Sequence, residues 1–147
     1  MIDNVDSAIL KLLASNARLS LKELATSISL SAPSTSERLR RLEERGVIRA
    51  YTVDLEPKLL GHVLQAIVRV RPLPGRLRVV QELIESMPEI VECDKVTGDD
   101  CFVARLFARS MEHLDELVDR LAVEAATNTA IVKGQLIARR LPPTTPV

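Results

Sequence analysis

Apolar residues recur at helical spacing through the first third of the chain. From Asp6, placed to cap a first turn, Ile9, Leu10, Leu12 and Leu13 fall on one stripe. After the polar stretch SNARL comes SLKELATSI, where Ser20 and Glu23 have capping-box spacing and Leu21, Leu24, Ala25 and Ile28 share a side. Ser29 and Leu30 form a tight break, and a third helix starts near Ser31 with Pro33 in its first turn, where a missing N–H costs nothing. Gly46 ends it as a C-cap, and VIRAYTVDL follows with strand composition. Three short helices and a strand, with a tight turn between the second and third helices, predict a winged helix-turn-helix over residues 1–54.

Residues 55–62, LEPKLLGH, read as a connector, and beyond them the period changes. VLQAIVRVR is strand-like, LRVVQELIESM helical, IVECDKVT and CFVARLFA strand-like, MEHLDELVDRLA helical and AIVKGQLIARR strand-like. That order, βαββαβ, predicts a ferredoxin-like domain over residues 63–147 and an α+β chain. The tail LPPTTPV cannot continue a sheet and is expected to be loose. Both faces of the predicted strands carry apolar residues: Leu64, Ala66, Val68 and Val70 oppose Val63 and Ile67, and Phe102, Ala104, Leu106 and Ala108 oppose Val103 and Phe107 around Arg105. Helices cover one face of such a sheet, so the other calls for a second subunit and a homo-oligomer.

Composition narrows the function. The apolar content is 46%, almost wholly aliphatic, with Tyr51, Phe102 and Phe107 as the aromatic residues, which argues against stacking bases on aromatic platforms. The first residues carry two acids before any base and only a short apolar stretch, matching neither a signal peptide nor a membrane span, so the cytoplasm is expected and a membrane partner is not. Cys93 and Cys101 lie in adjacent predicted strands but offset along the hairpin, and free buried thiols are expected rather than a disulfide. The formal net charge is zero, so an interaction with nucleic acid must rest on a local face.

The third helix supplies such a face. Five arginines fall between Arg38 and Arg49. At about 100 degrees per residue, Thr35, Leu39 and Leu42 share one side, and Ser34, Arg38, Arg41 and Arg45 another, with Glu37 and Glu44 along its edge. Such a helix suits a DNA major groove: arginine can hold a guanine edge in bidentate fashion, while hydroxyls and the N–H groups at the helix start hold phosphates, Ser31 among them. The pattern alone is equally that of a solvated helix laced by pairs such as Glu37 with Arg41.

The stretch from Asp6 to Gly61 resembles the DNA-binding half of the Lrp/AsnC (feast/famine) transcriptional regulators. The resemblance is carried by the starting Asp, the R-hydrophobic-S…ELA segment, LS, the R-hydrophobic-R-R-L-E…G-hydrophobic-I helix end and the P…LG connector. The remaining residues, through VTGDDCF, resemble that family's ferredoxin-like effector domain. Ser29 stands where the family usually has Gly, Ala50 replaces a common Gly, and Cys101 occupies a position where many members carry Asp. The resemblance implies double-stranded DNA as partner, an amino acid as effector, and assembly into dimers or higher forms up to octamers. It also implies a ligand site near the GDD turn and near the segment before the last strand, TNT, at a contact between dimers. Gly98, Asp99, Asp100, Thr127, Asn128 and Thr129 would then form the polar shell, with a carboxylate for the ammonium and glycine backbone for the carboxylate. On composition alone Asp99 and Asp100 could suggest an acid/base pair, but the GDD stretch reads rather as an ordinary hairpin turn.

Catalytic chemistry finds little support. Ser20, Ser31 and Ser34 read as caps, there is no Gly-x-Ser-x-Gly elbow, P-loop or dinucleotide fingerprint, and no cofactor is implied. His62 and His113 have no ligand spacing to either cysteine, so no metal site is expected. Two functions from different classes remain: a sequence-specific DNA-binding regulator with a small-molecule effector, or a ferredoxin-like metabolic subunit or enzyme docked through its N-terminal helices.

Overall fold

The structure is a computed structural model and describes residues 1–144 of the 147. Backbone contacts divide it into two compact units, Met1–Asp54 with the tail from Leu136, and Leu55–Gln135.

In the first unit, helix α1 spans Asn4–Ser15, α2 Leu21–Ser27 and α3 Ala32–Glu44. The cap of α1 is Asp3 rather than Asp6. The two acids form a reciprocal box, Asp6 N–H donating to Asp3 at 2.8 Å and Asp3 N–H donating to Asp6 at 3.2 Å, and the earlier of such a pair must lie outside the helix. Helix α2 has the expected box of Ser20 with Glu23. It ends with Ser29 in the left-handed region at φ 55°, where Ser29 N–H donates to Thr26 and Leu30 N–H to Ala25. Helix α3 ends on the same hydrogen-bond pattern with Gly46 at φ 68°, which glycine adopts without strain; serine at the equivalent position costs about 1 kcal/mol. Ile9, Leu24 and Leu42 form the buried centre, with Leu10, Leu13, Ile28 and Leu39 packed around it.

The strand expected after Gly46 does not form. Residues 47–54 pair with no ladder among the described residues, because everything before them in this unit is helix and an extended segment becomes a strand only beside another. Tyr51 instead donates its hydroxyl to Glu43 at 2.7 Å. Partial burial and then the Glu43 carboxylate push that phenol up to about 12, so it remains a donor through the physiological range. The tail was expected to be loose, yet Thr144 Oγ1 lies 3.1 Å from the Ser7 hydroxyl; the rest of that expectation, residues 145–147, lies outside the described residues.

The second unit follows a short 3₁₀ turn, Pro57–Leu60, and consists of β1 (Leu64–Pro72), α4 (Leu77–Ser86), β2 (Ile90–Lys95), β3 (Phe102–Ala108), α5 (Met111–Ala122) and β4 (Ala125–Ile131). The sheet is antiparallel in the order β2-β3-β1-β4, the ferredoxin-like arrangement. Val68, Val70, Phe102 and Leu106 on one sheet face meet Val80, Ile84 and Met87 of α4 and Leu114, Leu117 and Leu121 of α5. The last strand lies earlier than expected. With α5 ending at Ala122, β4 starts opposite Pro72 and reaches Ile131 opposite Ala66, so the apolar run past Val132 has no further ladder to join. Thr127, Asn128 and Thr129 therefore lie inside β4, not before it. The two thiols are free as expected, but not buried: Cys93 is exposed on the edge strand β2, and Cys101 is half-buried in the turn just before β3.

The open sheet face is less apolar than the strand pattern suggested. Ile67, Val103 and Phe107 are half-buried and Val63 is exposed, but they alternate with Gln65, Arg69 and an Arg105–Glu92 pair at 3.2 Å. Among the described residues no helix is long and apolar enough to cross a membrane.

One ion-pair cluster fixes α3 against α1. Arg38 Nη1 donates to Asp3 at 2.6 Å and to Asp6 at 2.9 Å, and the Asp6 side chain is only 12% exposed. The backbone N–H of Asp6 and then the Arg38 guanidinium hold the Asp3 carboxyl below the usual carboxylate range. A depressed carboxylate contributes stability above its unfolded value, near pH 4, and loses it as pH falls through the folded value, so the Arg38–Asp3 pair should persist until the medium is more acid than ordinary carboxylates tolerate. Arg38→Ala leaves the nearly buried Asp6 without its cation and should destabilise the first unit by roughly 1–3 kcal/mol in chemical denaturation; Arg41→Ala, on an exposed side of the same helix, should change stability by less than about 0.5 kcal/mol.

Candidate nucleic-acid interface and ligand turn

The inward side of α3 is defined by burial: Thr35 and Leu42 are buried, and Leu39 and Arg38 half-buried. Thr35 satisfies its hydroxyl by donating to the Ser31 carbonyl at 2.9 Å. The helix start is built by Ser31, which accepts from Ser34 N–H at 3.3 Å and donates its hydroxyl to Ser34 Oγ at 2.9 Å. Both serines are exposed beside the first-turn N–H groups of α3.

The row Ser34, Arg38, Arg41, Arg45 divides on inspection. Arg38 faces α1 and is taken up by Asp3 and Asp6. Arg45 donates to the Met1 carbonyl at 3.1 Å. A groove of about 500 Å³ separates the N-terminal segment from this flank, with Asp3 and Asp6 on one wall and Arg38, Arg41 and Arg45 on the other. Arg41 and Arg45 are both exposed, and among the described residues Arg41 has one ion-pair contact, 3.6 Å to Glu37. A helical wheel drawn without tertiary contacts cannot separate these arginines, because only the packing of α1 shows which edge of the ridge is covered.

One residue on the outward side, Arg40, was not singled out from the sequence. Arg40 donates through Nε at 3.1 Å and Nη2 at 2.7 Å to the two oxygens of Glu37, and through Nη1 to Glu44. The cation holds Glu37 below the usual carboxylate range. The i, i+3 and i, i+4 spacing of these three was the signal available in the sequence.

In the second unit, Gly98, Asp99 and Asp100 form the tip of the β2–β3 hairpin, closed by Val96 N–H donating to the Cys101 carbonyl at 2.8 Å. Gly98 has φ 107°, outside the range of other residues. The two acids differ: Asp100 is paired with Arg71 Nε at 3.1 Å, while Asp99 is exposed and takes no hydrogen bond or ion pair among the described residues. Arg71 was missed in the sequence because its pairing depends on strand register.

Thr127 lies opposite Val70, and Val70 opposite Phe102, so the β4 residues begin at the same end of the sheet as the turn but two strands away, about 10 Å. Thr127 and Thr129 point to the helix-covered side and Asn128, opposite Arg69, to the open side. One chain thus brings the six residues to one end of the sheet without closing them around one volume. Among the described residues there is no cluster of three or more potential metal ligands.

Comparison with known proteins agrees with this two-part plan. Residues 2–49 match the winged helix-turn-helix DNA-binding family, and residues 65–142 match the Lrp/AsnC ligand binding domain. The HTH-type transcriptional regulator LrpC of Bacillus subtilis is 30% identical over 92% of this chain and 94% of its own length. LrpA of Mycobacterium tuberculosis is 33% identical, covering 87% of this chain and 86% of that protein. The solved structure of a feast or famine regulatory protein from M. tuberculosis complexed with L-methionine superposes with a TM-score of 0.88 at 30% identity, covering 97% of this chain and 99% of that one. The chain is a member of the Lrp/AsnC family of HTH-type transcriptional regulators, and a regulator rather than an enzyme.

Proposed function

We propose that this regulator works in the cytoplasm as a homo-oligomer, reads a DNA operator through α3 and responds to an amino acid bound near the β2–β3 turn. The observation that carries the DNA assignment is the exposed side of α3, which begins at an open helix N-terminus and presents Arg40 and Arg41 among Glu37 and Glu44, on a helix whose opposite side carries the buried Thr35 and Leu42. Ser31 and Ser34, with the first-turn N–H groups, take phosphates; Arg41 reaches a base edge or phosphate; Arg45 supports from the flank. Arg38 acts by fixing the helix through α1. Residues 1–54 form the DNA-binding part, with the tail from Leu136 grouped with them, 55–62 the connector, and the rest of the expected 63–147, up to Gln135, the effector and assembly part.

Removing Arg41 should therefore weaken operator binding by about 1–3 kcal/mol if it reads a base, or lower the slope of log K against log salt by about 1 if it neutralises a phosphate. Titrations across a salt series distinguish the two, and an Arg41→Ala protein with unchanged affinity and slope would remove Arg41 from the interface.

Assembly follows from the open sheet face, where Val63, Ile67, Val103 and Phe107 leave apolar surface in water beside the Arg105–Glu92 pair. A two-fold partner on this face would set two α3 helices on half-sites about one helical turn, or a multiple of it, apart. Light scattering at micromolar concentration should give at least a dimer of the 16.3 kDa chain, and Phe107→Asp should shift it toward the monomer. A monomeric parent protein would refute the assembly; an unshifted variant would move it to another face.

The effector assignment rests on Asp99 being unpaired beside the open backbone of Gly98, an acceptor for an ammonium next to N–H donors for a carboxylate. The M. tuberculosis relative solved with L-methionine supports an amino acid as the class. A thermal-shift screen of the twenty amino acids should find a stabilising ligand. Asp99→Ala should keep fold and basal DNA binding and lose that response, a coupling typically worth about 1–3 kcal/mol; a full response in the variant would return the turn to a purely structural role.

A further inference from the structure

We infer that Glu37 is a specificity-determining residue of the DNA interface, reading the exocyclic amine of a cytosine in a G·C pair from the major groove. The inference rests on the DNA-reading role of α3 and goes beyond the arginine ridge to the carboxylates set among it.

Three observations carry it. The first is position: Thr35 and Leu42 are buried and Leu39 half-buried, so Glu37, Arg40 and Arg41 occupy the opposite, exposed side of the helix, and that is the side able to approach a groove floor. The second is orientation. Both Glu37 oxygens are held by the Arg40 fork at 2.7 and 3.1 Å, with Arg41 Nε at 3.6 Å, and Glu44 engages the remaining Nη1 of Arg40. Arg40 has its Nε and both Nη groups committed to carboxylates, so it acts as a brace. Each Glu37 oxygen keeps a lone pair for an incoming N–H donor, and Arg41 remains the free guanidinium.

The third is charge. Glu37 and Glu44 balance Arg40 and Arg41, so this face carries no excess cation and gains little from the general attraction of a phosphate backbone. What distinguishes it is a donor–acceptor pattern. A carboxylate accepts from cytosine N4, an arginine donates to guanine O6 and N7, and one G·C pair offers both on its major-groove edge. Guanine and thymine present it with acceptors or a methyl group, adenine sets an N7 acceptor beside its one N6 donor, and the carboxylate repels nearby phosphates, so it acts by exclusion as well as attraction. Ordinary surface pairs of this spacing contribute only a few tenths of a kcal/mol to a helix, and a purely structural role predicts no change in base preference on their loss.

The test is selection of binding sites from randomised duplex DNA by the full-length wild type, Glu37→Ala and Glu37→Gln, each first confirmed to be folded by circular dichroism. The wild type should enrich a motif with cytosine at one position of each half-site. Glu37→Ala should lose preference at that position by about tenfold or more while keeping the others, and should bind random DNA more tightly with a steeper salt dependence. Glu37→Gln should move the preference toward adenine, whose N6 and N7 suit a glutamine amide. Enrichment of an unchanged motif by Glu37→Ala overturns the inference. A wild type that enriches no motif overturns the DNA-reading function beneath it, and the inference with it.

Discussion

The orientation of α3 depends on one arginine held between two carboxylates. Arg38 joins the first turn of α1, through Asp3 and Asp6, to the middle of α3, and it does so where Asp6 is nearly closed to water. A partly buried guanidinium without those partners would be costly, and so would the carboxylate without the guanidinium; the pair therefore admits one relative placement of the two helices. The same acids cap α1 through their own backbone. Once that edge of α3 is committed and Thr35 and Leu42 fill the core, only one side remains for a partner, and its chemistry is set by Ser34, Glu37, Arg40 and Arg41.

That division explains how a chain of zero net charge can serve a polyanionic partner. The five arginines are not one undifferentiated patch: Arg38 holds the helix, Arg40 braces a carboxylate, Arg45 touches the N-terminal backbone, Arg41 has one contact of 3.6 Å to Glu37, and Arg49 lies past the end of α3. Affinity from counterion release is modest for such a face, and discrimination has to come from base edges and from presenting two helices together. In the second unit the same economy appears at the hairpin tip, where Arg71 neutralises Asp100 and leaves Asp99 as the one acid of the turn open to a ligand.

Helices and most strands were legible in the sequence because they rest on local signals: Ser20 with Glu23, Ser31 before Pro33, Gly46 after α3, and a period of two through β1 and β3. What was not legible depends on contacts between distant segments. Asp6 reads as a cap until Asp3 is seen to share its hydrogen bonds. The stretch after Gly46 reads as a strand, yet strand composition does not provide a ladder partner. β4 is hidden because its register is imposed by the end of α5 and the length of β1, while the stronger apolar pattern lies just past it. At the candidate sites, the arginine stripe was visible but its division into positioning and exposed members was not, since a wheel carries no information about which flank α1 covers.

The central claim, that Arg38 positions α3 while Arg40 and Arg41 lie in the interface, is tested most directly by reactivity of individual arginines. Modification of the full-length protein with phenylglyoxal, read by peptide mass spectrometry with and without duplex DNA bearing its selected site, reports each guanidinium separately. The account predicts slow modification of Arg38 in both states, and rapid modification of Arg41 in the free protein that is suppressed in the complex. Ready modification of Arg38 in the free protein and its protection by DNA, with Arg41 unaffected, would contradict it.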